Sequence, residues 1–158
     1  MHFDTINLER DIDTCIRFRR DSYFISFNTY EGFELSMRGY KSRMKDRIGY
    51  LPDGNCHLWD RDAIVGQTEM KFVEAPSVGY VSLLYLIKDY RSKGLGNLLH
   101  DRAIKVFTEL GKSSIKLSVS ISNERALSFY AKHGWKNLGP RPGKEEVYLM
   151  QYDLRIAS

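Results

Sequence analysis

The chain has 158 residues, of which 42% are hydrophobic and 28% are charged, and its formal net charge is +4. This composition is typical of a soluble globular protein, and the length is that of one domain, 1–158. It excludes a membrane-spanning protein, because no apolar run is long enough to cross a bilayer. No basic-then-apolar segment precedes a small-residue cleavage site, so we expect a cytoplasmic protein with no membrane partner.

The hydrophobic periodicity predicts an alternating series of strands and helices. In chain order these are a strand at 3–8, a helix capped by Asp11 or Asp13, a helix from 33 to about 48, a hairpin of 56–59 and 64–73, a strand at 78–87, a helix at 95–110, a strand at 115–121, a helix at 123–133 and a hairpin of 135–138 and 147–154. The predicted order of elements is therefore β-α-α-β-β-β-α-β-α-β-β.

Charge and cysteine placement exclude two classes of site. Residues 76–158 contain 13 Lys/Arg and 7 Asp/Glu, so this half suits a polyanionic ligand. Its basic residues are scattered without a basic-aromatic motif, so we expect no nucleic-acid partner. Cys15 and Cys56 lack metal-ligand spacing, which predicts buried reduced thiols and no metal.

The segment 90–99, Tyr-Arg-Ser-Lys-Gly-Leu-Gly-Asn-Leu-Leu, links a predicted strand to a predicted helix. Gly94 and Gly96 lack Cβ atoms, so an anion can approach the backbone and the first N–H groups of the helix. Arg91 and Lys93 add positive charge. The segment therefore predicts a phosphate-binding turn.

The spacing separates three kinds of phosphate-binding turn. A dinucleotide fingerprint needs a third glycine where Leu99 stands, and a Walker loop ending at 111–113 needs a glycine where Val106 stands. The remaining pattern is Arg-x-x-Gly-x-Gly from Arg91 to Gly96. It resembles the pyrophosphate loop of the GNAT N-acetyltransferases.

A second segment, 122–135, resembles the other GNAT motif, which contains an Asn, an Ala, an aromatic-Tyr pair and a Gly-aromatic pair. The matching residues are Asn123, Ala126, Phe129-Tyr130 and Gly134-Trp135. Ser122 or Asn123 would cap the helix, and Gly134 would end it. The resemblance covers residues 64–154.

The resemblance implies an α/β (α+β) fold: a GNAT-type mixed, strongly twisted sheet with helices on both faces. The strands at 78–87 and 115–121 would run parallel and splay apart, and the pantetheine arm of acetyl-CoA would enter the wedge. It implies that Leu84, Tyr85 and Leu86 pair with pantetheine, and that a backbone N–H near Leu86 polarises the thioester carbonyl.

The remaining cofactor contacts are also implied by the resemblance. The N–H groups of Ser92, Lys93, Gly94, Leu95, Gly96 and Asn97 would hold the pyrophosphate beside Arg91, and Asn123 would contact the cofactor arm. Tyr130 would protonate the departing thiolate as a general acid. The cosubstrate would be acetyl-CoA, and no metal would take part. A homodimer would be a possible assembly.

The general base departs from one pattern of the family, in which a Glu stands at the position of Ser118. A serine hydroxyl is no base at neutral pH, although it can order a water molecule. Glu69 is the candidate substitute and Glu74 a second; we expect both carboxylates at the surface. Water is the alternative proton acceptor.

The acceptor would be a primary amine on a small molecule or a peptide. Residues 1–75 contain 11 Lys/Arg and 13 Asp/Glu, a balance of −2 that would not repel a cationic amine. The aromatic residues of 23–33 are expected in the core; lining an amine pocket by cation–π contact is the alternative.

Two other functions stay open. A non-catalytic acyl-CoA-binding sensor with the same fold would tolerate Ser118 at the base position. A nucleotide-binding protein would use Gly94 and Gly96, although it would lack the third glycine.

Overall fold

A computed structural model describes residues 1–154 as a seven-stranded sheet with helices packed against it. The elements are β1 (His2–Thr5), α1 (Leu8–Phe27), α2 (Phe33–Ser36), α3 (Tyr40–Tyr50), β2 (Cys56–Asp60), β3 (Ala63–Phe72), β4 (Val78–Leu86), α4 (Gly96–Glu109), β5 (Ser114–Ser120), α5 (Glu124–Lys132), β6 (Lys136–Arg141) and β7 (Lys144–Asp153). Within residues 1–154, no helix is both long and apolar enough to cross a bilayer.

The strand order is β1-β2-β3-β4-β5-β7-β6, and β4 and β5 form its one parallel pair among the described strands. This arrangement confirms the predicted mixed α/β (α+β) fold. Parallel strands need a crossover connection, and α4 supplies it between β4 and β5.

The parallel pair β4–β5 is short. Only residues 78–80 of β4 pair with residues 114–116 of β5, although β4 continues to Leu86 and β5 to Ser120. Past Tyr80 the strands therefore leave a wedge between them. A β-bulge helps to bend β4 there, because Met70 pairs with Val81 and Glu69 with Leu83, which leaves Ser82 without a partner.

Two helix predictions are wrong in detail. Helix α1 begins after Asn7, whose Oδ1 accepts a hydrogen bond from the Arg10 N–H at 3.1 Å, and not at Asp11 or Asp13. The single helix predicted from residue 33 is interrupted at residues 37–39, where Gly39 has a φ of 72°. A left-handed residue cannot lie inside an α-helix, and Gly39 stands immediately before α3, so α2 and α3 are separate.

The core lies between the sheet and helices α4 and α5, and its largest fully buried side chains include Phe107, Ile115 and Met150. A second cluster joins α1 to α3 through Cys15, Tyr40 and Met44. Both cysteines are buried and free, as predicted. The prediction that the aromatic residues of 23–33 are core is wrong for Phe24 and Tyr30, which are exposed; Phe33 is buried, and Tyr23 and Phe27 are half-buried.

Gly79 of β4 lies against the ring of Phe107, so that a Cβ added at Gly79 would be 2.4 Å from Phe107 Cδ1. We expect Gly79→Ala to lower the free energy of unfolding by about 1–3 kcal/mol, because the core has no room for the methyl group. Urea denaturation measures the change.

Gly49 is the matched control, because it is exposed in helix α3 and no atom lies within 4 Å of its added Cβ. Gly49→Ala should stabilise the protein by about 0.5–1 kcal/mol. Equal effects of the two substitutions would contradict the packing argument.

Candidate active site

The loop between β4 and α4 presents backbone N–H groups that have no partner. Ser92 and Gly94 adopt left-handed φ values of 63° and 79°. Within residues 1–154, the N–H groups of residues 92–96 have no hydrogen-bond acceptor, and no side chain caps α4. Successive N–H groups that converge at a helix N-terminus bind anions. The loop can therefore hold a phosphate group.

A cavity of about 500 Å³ opens beside this loop and continues into the wedge. We call it the cofactor cavity. It is lined by most of the residues predicted from the sequence: Leu84, Tyr85, Leu86, Arg91, Ser92, Gly94, Gly96, Asn97 and Asn123. Lys93 and Leu95 do not line it. The Lys93 ammonium lies over the Tyr90 ring and Leu95 packs near Leu99, so neither side chain reaches the cavity.

Arg91 braces the loop against the end of β4. Its Nε donates to the Leu86 carbonyl at 2.8 Å, and its Nη2 donates to Asp21 Oδ2 at 2.8 Å. The Tyr85 hydroxyl donates to the same carboxylate oxygen. Asp21 thus offsets the charge of Arg91, and other side chains must supply the net positive charge of this cavity.

Arg125 and Lys132 of helix α5 supply this charge, and the sequence analysis missed both. Arg125, Lys132 and His133 line the cofactor cavity, and an Arg125 Nη2 group donates to the Ser92 hydroxyl. Their spacing could have revealed them. Residues seven and eight positions after Arg125 lie on the same helix face.

A second cavity, of about 460 Å³, lies on the other side of the wedge, and we call it the acceptor cavity. It shares part of its wall with the cofactor cavity: Ser22, Ser26, Leu84, Asn123, Ala126 and Tyr130 line both. Tyr23 and Phe27 line the acceptor cavity but not the cofactor cavity. The two cavities therefore adjoin at the six residues that line both, and we call them together the cleft.

Tyr130 lies where the cavities meet, and its ring packs edge-on against Phe129 and Trp135. Its hydroxyl makes no hydrogen bond to any residue of the described chain. Burial raises the pKa of this phenol well above its usual range. A phenol is protonated near neutral pH even at its usual pKa, so this hydroxyl can donate a proton, although the raised pKa makes it a weaker acid.

Asn123 is the N-cap of α5, as predicted. Its Oδ1 accepts a hydrogen bond from the Ala126 N–H at 3.2 Å, which starts the helix beside the cleft. The same residue lines both cavities. The cap thus fixes the position of Tyr130, two turns further along the helix.

Glu69 is not where the sequence analysis expected it, because its side chain is fully buried in β3. Arg19 Nε donates to both carboxylate oxygens at 3.1 Å, the Tyr40 hydroxyl donates at 2.7 Å, and Gln67 Nε2 donates at 2.7 Å. Arg47 Nη1 lies 3.7 Å away. The expectation of a surface carboxylate is wrong for Glu69, although Glu74 is exposed.

These contacts set the ionisation of Glu69. Burial disfavours the charged carboxylate, but the Arg19 guanidinium and the hydrogen bonds from Tyr40 and Gln67 outweigh burial and hold its pKa below the usual range. Glu69 lines neither cavity, whereas Arg19 and Tyr40 line the acceptor cavity. The carboxylate holds two residues of the acceptor wall in place.

Three hydroxyl groups line the acceptor cavity at Ser118, Tyr80 and Ser82. Because one pattern of the family has its general base at the position of Ser118, we call these three residues the base region. The Ser118 hydroxyl lies 2.8 Å from the Tyr80 hydroxyl, and Arg141 Nη1 donates to Ser118 Oγ at 3.3 Å. Ser82 Oγ, on the bulge of β4, is buried without a partner among the described residues. Ser82 was missed, although a lone serine in an apolar strand was a visible signal.

Replacing the buried carboxylate should destabilise the protein and change its response to acid. We expect Glu69→Gln to lower the free energy of unfolding at pH 7 by about 3–5 kcal/mol, because Arg19 and Arg47 lose their buried counter-charge. In the parent this contribution is present above the unfolded-state pKa near 4.5 and is lost as the pH falls through the lowered folded-state pKa. The Glu69→Gln variant has no carboxylate at this position, so its free energy of unfolding should not show this decrease.

Urea denaturation from pH 7 down to pH 3 measures both effects. Glu74→Gln is the control, because this exposed carboxylate forms no salt bridge in the described chain, and its change should stay within about 0.5 kcal/mol. Similar pH dependence in the parent and Glu69→Gln would contradict the assigned role.

Solved structures share this fold. The PaiA N-acetyltransferase from Thermoplasma acidophilum in complex with coenzyme A superposes with a TM-score of 0.77, at 21% identity, over 96% of this chain and 98% of that one. A putative acetyltransferase from Salmonella typhimurium with acetyl-CoA superposes with a TM-score of 0.74, at 13% identity, over 100% and 96% of the two chains.

Curated relatives match a shorter segment. An N-alpha-acetyltransferase of Arabidopsis thaliana is 39% identical over 57 residues, which are 36% of this chain and 30% of the relative. A putative phosphinothricin acetyltransferase of Bacillus subtilis is 32% identical over 73 residues, 46% of this chain and 45% of the relative. The matched segments thus span less than half of these relatives.

The family profile covers most of the chain. The profile of the Acetyltransferase (GNAT) family matches residues 13–135, which include both sequence motifs, the wedge, all residues that line the cofactor cavity and most of those that line the acceptor cavity. The match also reaches into helix α1, where no motif was recognised from the sequence. The resemblance seen in the sequence is confirmed, and the chain belongs to the GNAT acetyltransferase family.

Proposed function

We propose that this protein is an N-acetyltransferase that moves the acetyl group of acetyl-CoA to a primary amine by direct attack in a ternary complex. The observation that carries the proposal is the junction of the two cavities at Leu84, Asn123 and Tyr130. A cosubstrate in one cavity and an amine in the other would meet there. Curated relatives with N-alpha-acetyltransferase names support the reaction class.

The cofactor cavity fits coenzyme A on two counts. The unpartnered N–H groups of residues 92–96 and the cations Arg125 and Lys132 suit its phosphates. The edge of β4 that faces the wedge has no strand beside it after Tyr80, so its backbone is open to an amide-bearing arm. Acetyl-CoA, once bound, supplies the reactive acetyl thioester.

Direct attack is favoured because no cysteine is available to carry the acetyl group. Cys15 and Cys56 line neither cavity, and burial raises the pKa of the Cys15 thiol to about 12. A thiol that is not ionised is a poor nucleophile. With a cysteine carrier excluded, direct reaction of the amine with the thioester is the simpler route.

Two proton movements accompany the reaction. The Tyr130 hydroxyl donates to the departing thiolate, since burial keeps this phenol protonated. For the amine proton, water beside Ser118, Tyr80 and Ser82 is a better placed acceptor than Glu69. The oxygens of the Glu69 carboxylate already accept hydrogen bonds from other side chains, and Glu69 lines neither cavity. Direct proton transfer to Glu69 stays a prediction that a pH–rate profile of Glu69→Gln tests.

A non-catalytic acyl-CoA sensor is the second candidate. Such a module needs only the cofactor cavity, whereas this protein has a second cavity with a phenol at the junction. The acetyltransferase is therefore the better supported function.

Tyr130→Phe tests the catalytic proposal. The variant should lower kcat by about 10²–10⁴-fold, the usual size of general acid catalysis, and leave coenzyme A affinity nearly unchanged. Thiol release from acetyl-CoA with a panel of primary amines measures kcat, and titration calorimetry measures binding. Initial velocities of the parent should give intersecting double-reciprocal lines; parallel lines would indicate a covalent enzyme intermediate. An effect on kcat below threefold would remove Tyr130 from the chemistry.

Gly96→Val tests the phosphate site. An added Cβ at Gly96 would lie 3.3 Å from Phe129 Cε2 and beside the cavity, so we expect coenzyme A affinity to fall by about tenfold or more. Calorimetry measures the affinity, and thermal unfolding checks that the fold is intact.

The double variant Gly96→Val with Phe129→Ala separates two causes. It removes the ring that valine would displace but keeps the branched carbons at the anion site. Affinity that stays low supports blocked anion binding. Affinity that recovers to the level of Phe129→Ala alone would show that ring displacement was the cause.

A further inference from the structure

The acceptor cavity is lined by cations from five different elements. Arg19 comes from α1, Arg43 and Arg47 from α3, Lys71 from β3, Arg141 from the end of β6 and Lys144 from the start of β7. No Asp or Glu of the described chain lines this cavity. The expectation that the amino-terminal half would not repel a cationic amine is wrong here, because four of the six cations belong to that half.

Internal partners neutralise only part of this charge. Arg19 binds Glu69, and Arg47 lies near the same carboxylate. Within residues 1–154, Arg43, Lys71, Arg141 and Lys144 form no salt bridge. Their contacts are neutral: Arg43 donates to the Ser36 carbonyl, and the Lys71 ammonium lies 5.0 Å from the centre of the Tyr80 ring.

These cations are close enough to act on one another. The pKa of Lys71 is lowered first by burial and then by the charges of Arg47, Arg141, Arg19 and Arg43. Like charges held together in a partly buried cavity cost free energy unless an anion joins them. The cavity is therefore complementary to a negative group and repels a second ammonium.

An N-acetyltransferase still needs an amine at the junction with the cofactor cavity. A simple alkyl amine or polyamine, positive in water, would enter this cavity against its charge. An amine with a carboxylate on the same molecule would place the anion on the cations and the nitrogen toward Tyr130. The positive surroundings would also favour the neutral amine, the form that attacks.

We propose that the acceptor is a primary amine that carries a carboxylate, and that Lys71 and Arg141 bind this carboxylate in the acceptor cavity. Arg141 already lies at the base region, where its Nη1 reaches Ser118 Oγ at 3.3 Å and Tyr80 Oη at 3.5 Å. The proposal rests on the proposed acetyltransferase function. It assigns Lys71 and Arg141 to substrate selection.

The experiment compares amines that differ only in the carboxylate. β-Alanine and β-alaninamide form one pair, and the C-terminally amidated peptides Ala-Asp-NH2 and Ala-Asn-NH2 form the other, so that only one member of each pair carries a carboxylate; the two pairs distinguish a free amino acid from a peptide. We expect kcat/KM, read by thiol release, to be about tenfold or more higher for the carboxylate member of at least one pair. The preference should weaken as salt is added.

Lys71→Met and Arg141→Met test the assigned residues, because methionine keeps an unbranched stem and removes the charge. Each should lower the preference, which is the ratio of kcat/KM for the carboxylate member to kcat/KM for the neutral member, by about tenfold, because the charge that binds the carboxylate is gone. Arg141 also donates to Ser118 Oγ, so its variant is judged by this ratio and not by the rate with the neutral member alone. Lys105→Met is the matched control: Lys105 is an exposed cation of α4 that does not line the acceptor cavity.

The outcomes separate this inference from the acetyltransferase activity. Turnover of neutral amines with equal or better efficiency, or a preference unchanged in both variants, would overturn the inference and keep the activity. If no amine is turned over, thermal-shift binding of the same pairs to the coenzyme A complex decides. Selective binding of the carboxylate members would support the inference without the activity, and equal or absent binding would overturn it.

Discussion

The early separation of β4 from β5 is the constraint on which the site depends. A parallel ladder continued past residue 80 would satisfy the backbone of both strands and close the wedge. Instead β4 bends at the Ser82 bulge, and the Tyr80 side chain reaches Ser118 across the gap. The cofactor cavity and the acceptor cavity exist because these two strands share so few hydrogen bonds.

The buried carboxylate of Glu69 sets the shape of the acceptor wall. It joins α1 to β3 through Arg19 and α3 to β3 through Tyr40. A buried ion pair adds little net stability, but a buried charge without its partner is costly, so these helices are held in one position. Glu69 therefore influences the acceptor cavity through two residues that line it, and it needs no contact with substrate to do so.

Short sequence motifs were sufficient to locate the cofactor cavity, but they were insufficient to locate the acceptor cavity. The turn from Arg91 to Gly96 and the helix starting after Asn123 are each specified by a few adjacent residues, so spacing alone located them. The acceptor cavity is built from α1, α3, β3 and the last hairpin, which meet only through the sheet topology. Glu69 shows the difference: carboxylates are usually exposed, and only the partners Arg19 and Tyr40, far away in sequence, explain its burial.

The charges of the cleft link the two proton movements that acyl transfer to an amine requires. On the acceptor side, the cations around Lys71 disfavour an ammonium ion, so an amine bound there loses its proton more readily than in water. At the junction, burial raises the pKa of Tyr130, so the phenol keeps its proton under the same conditions. The acceptor cavity thus favours a neutral amine, and the junction favours a protonated Tyr130.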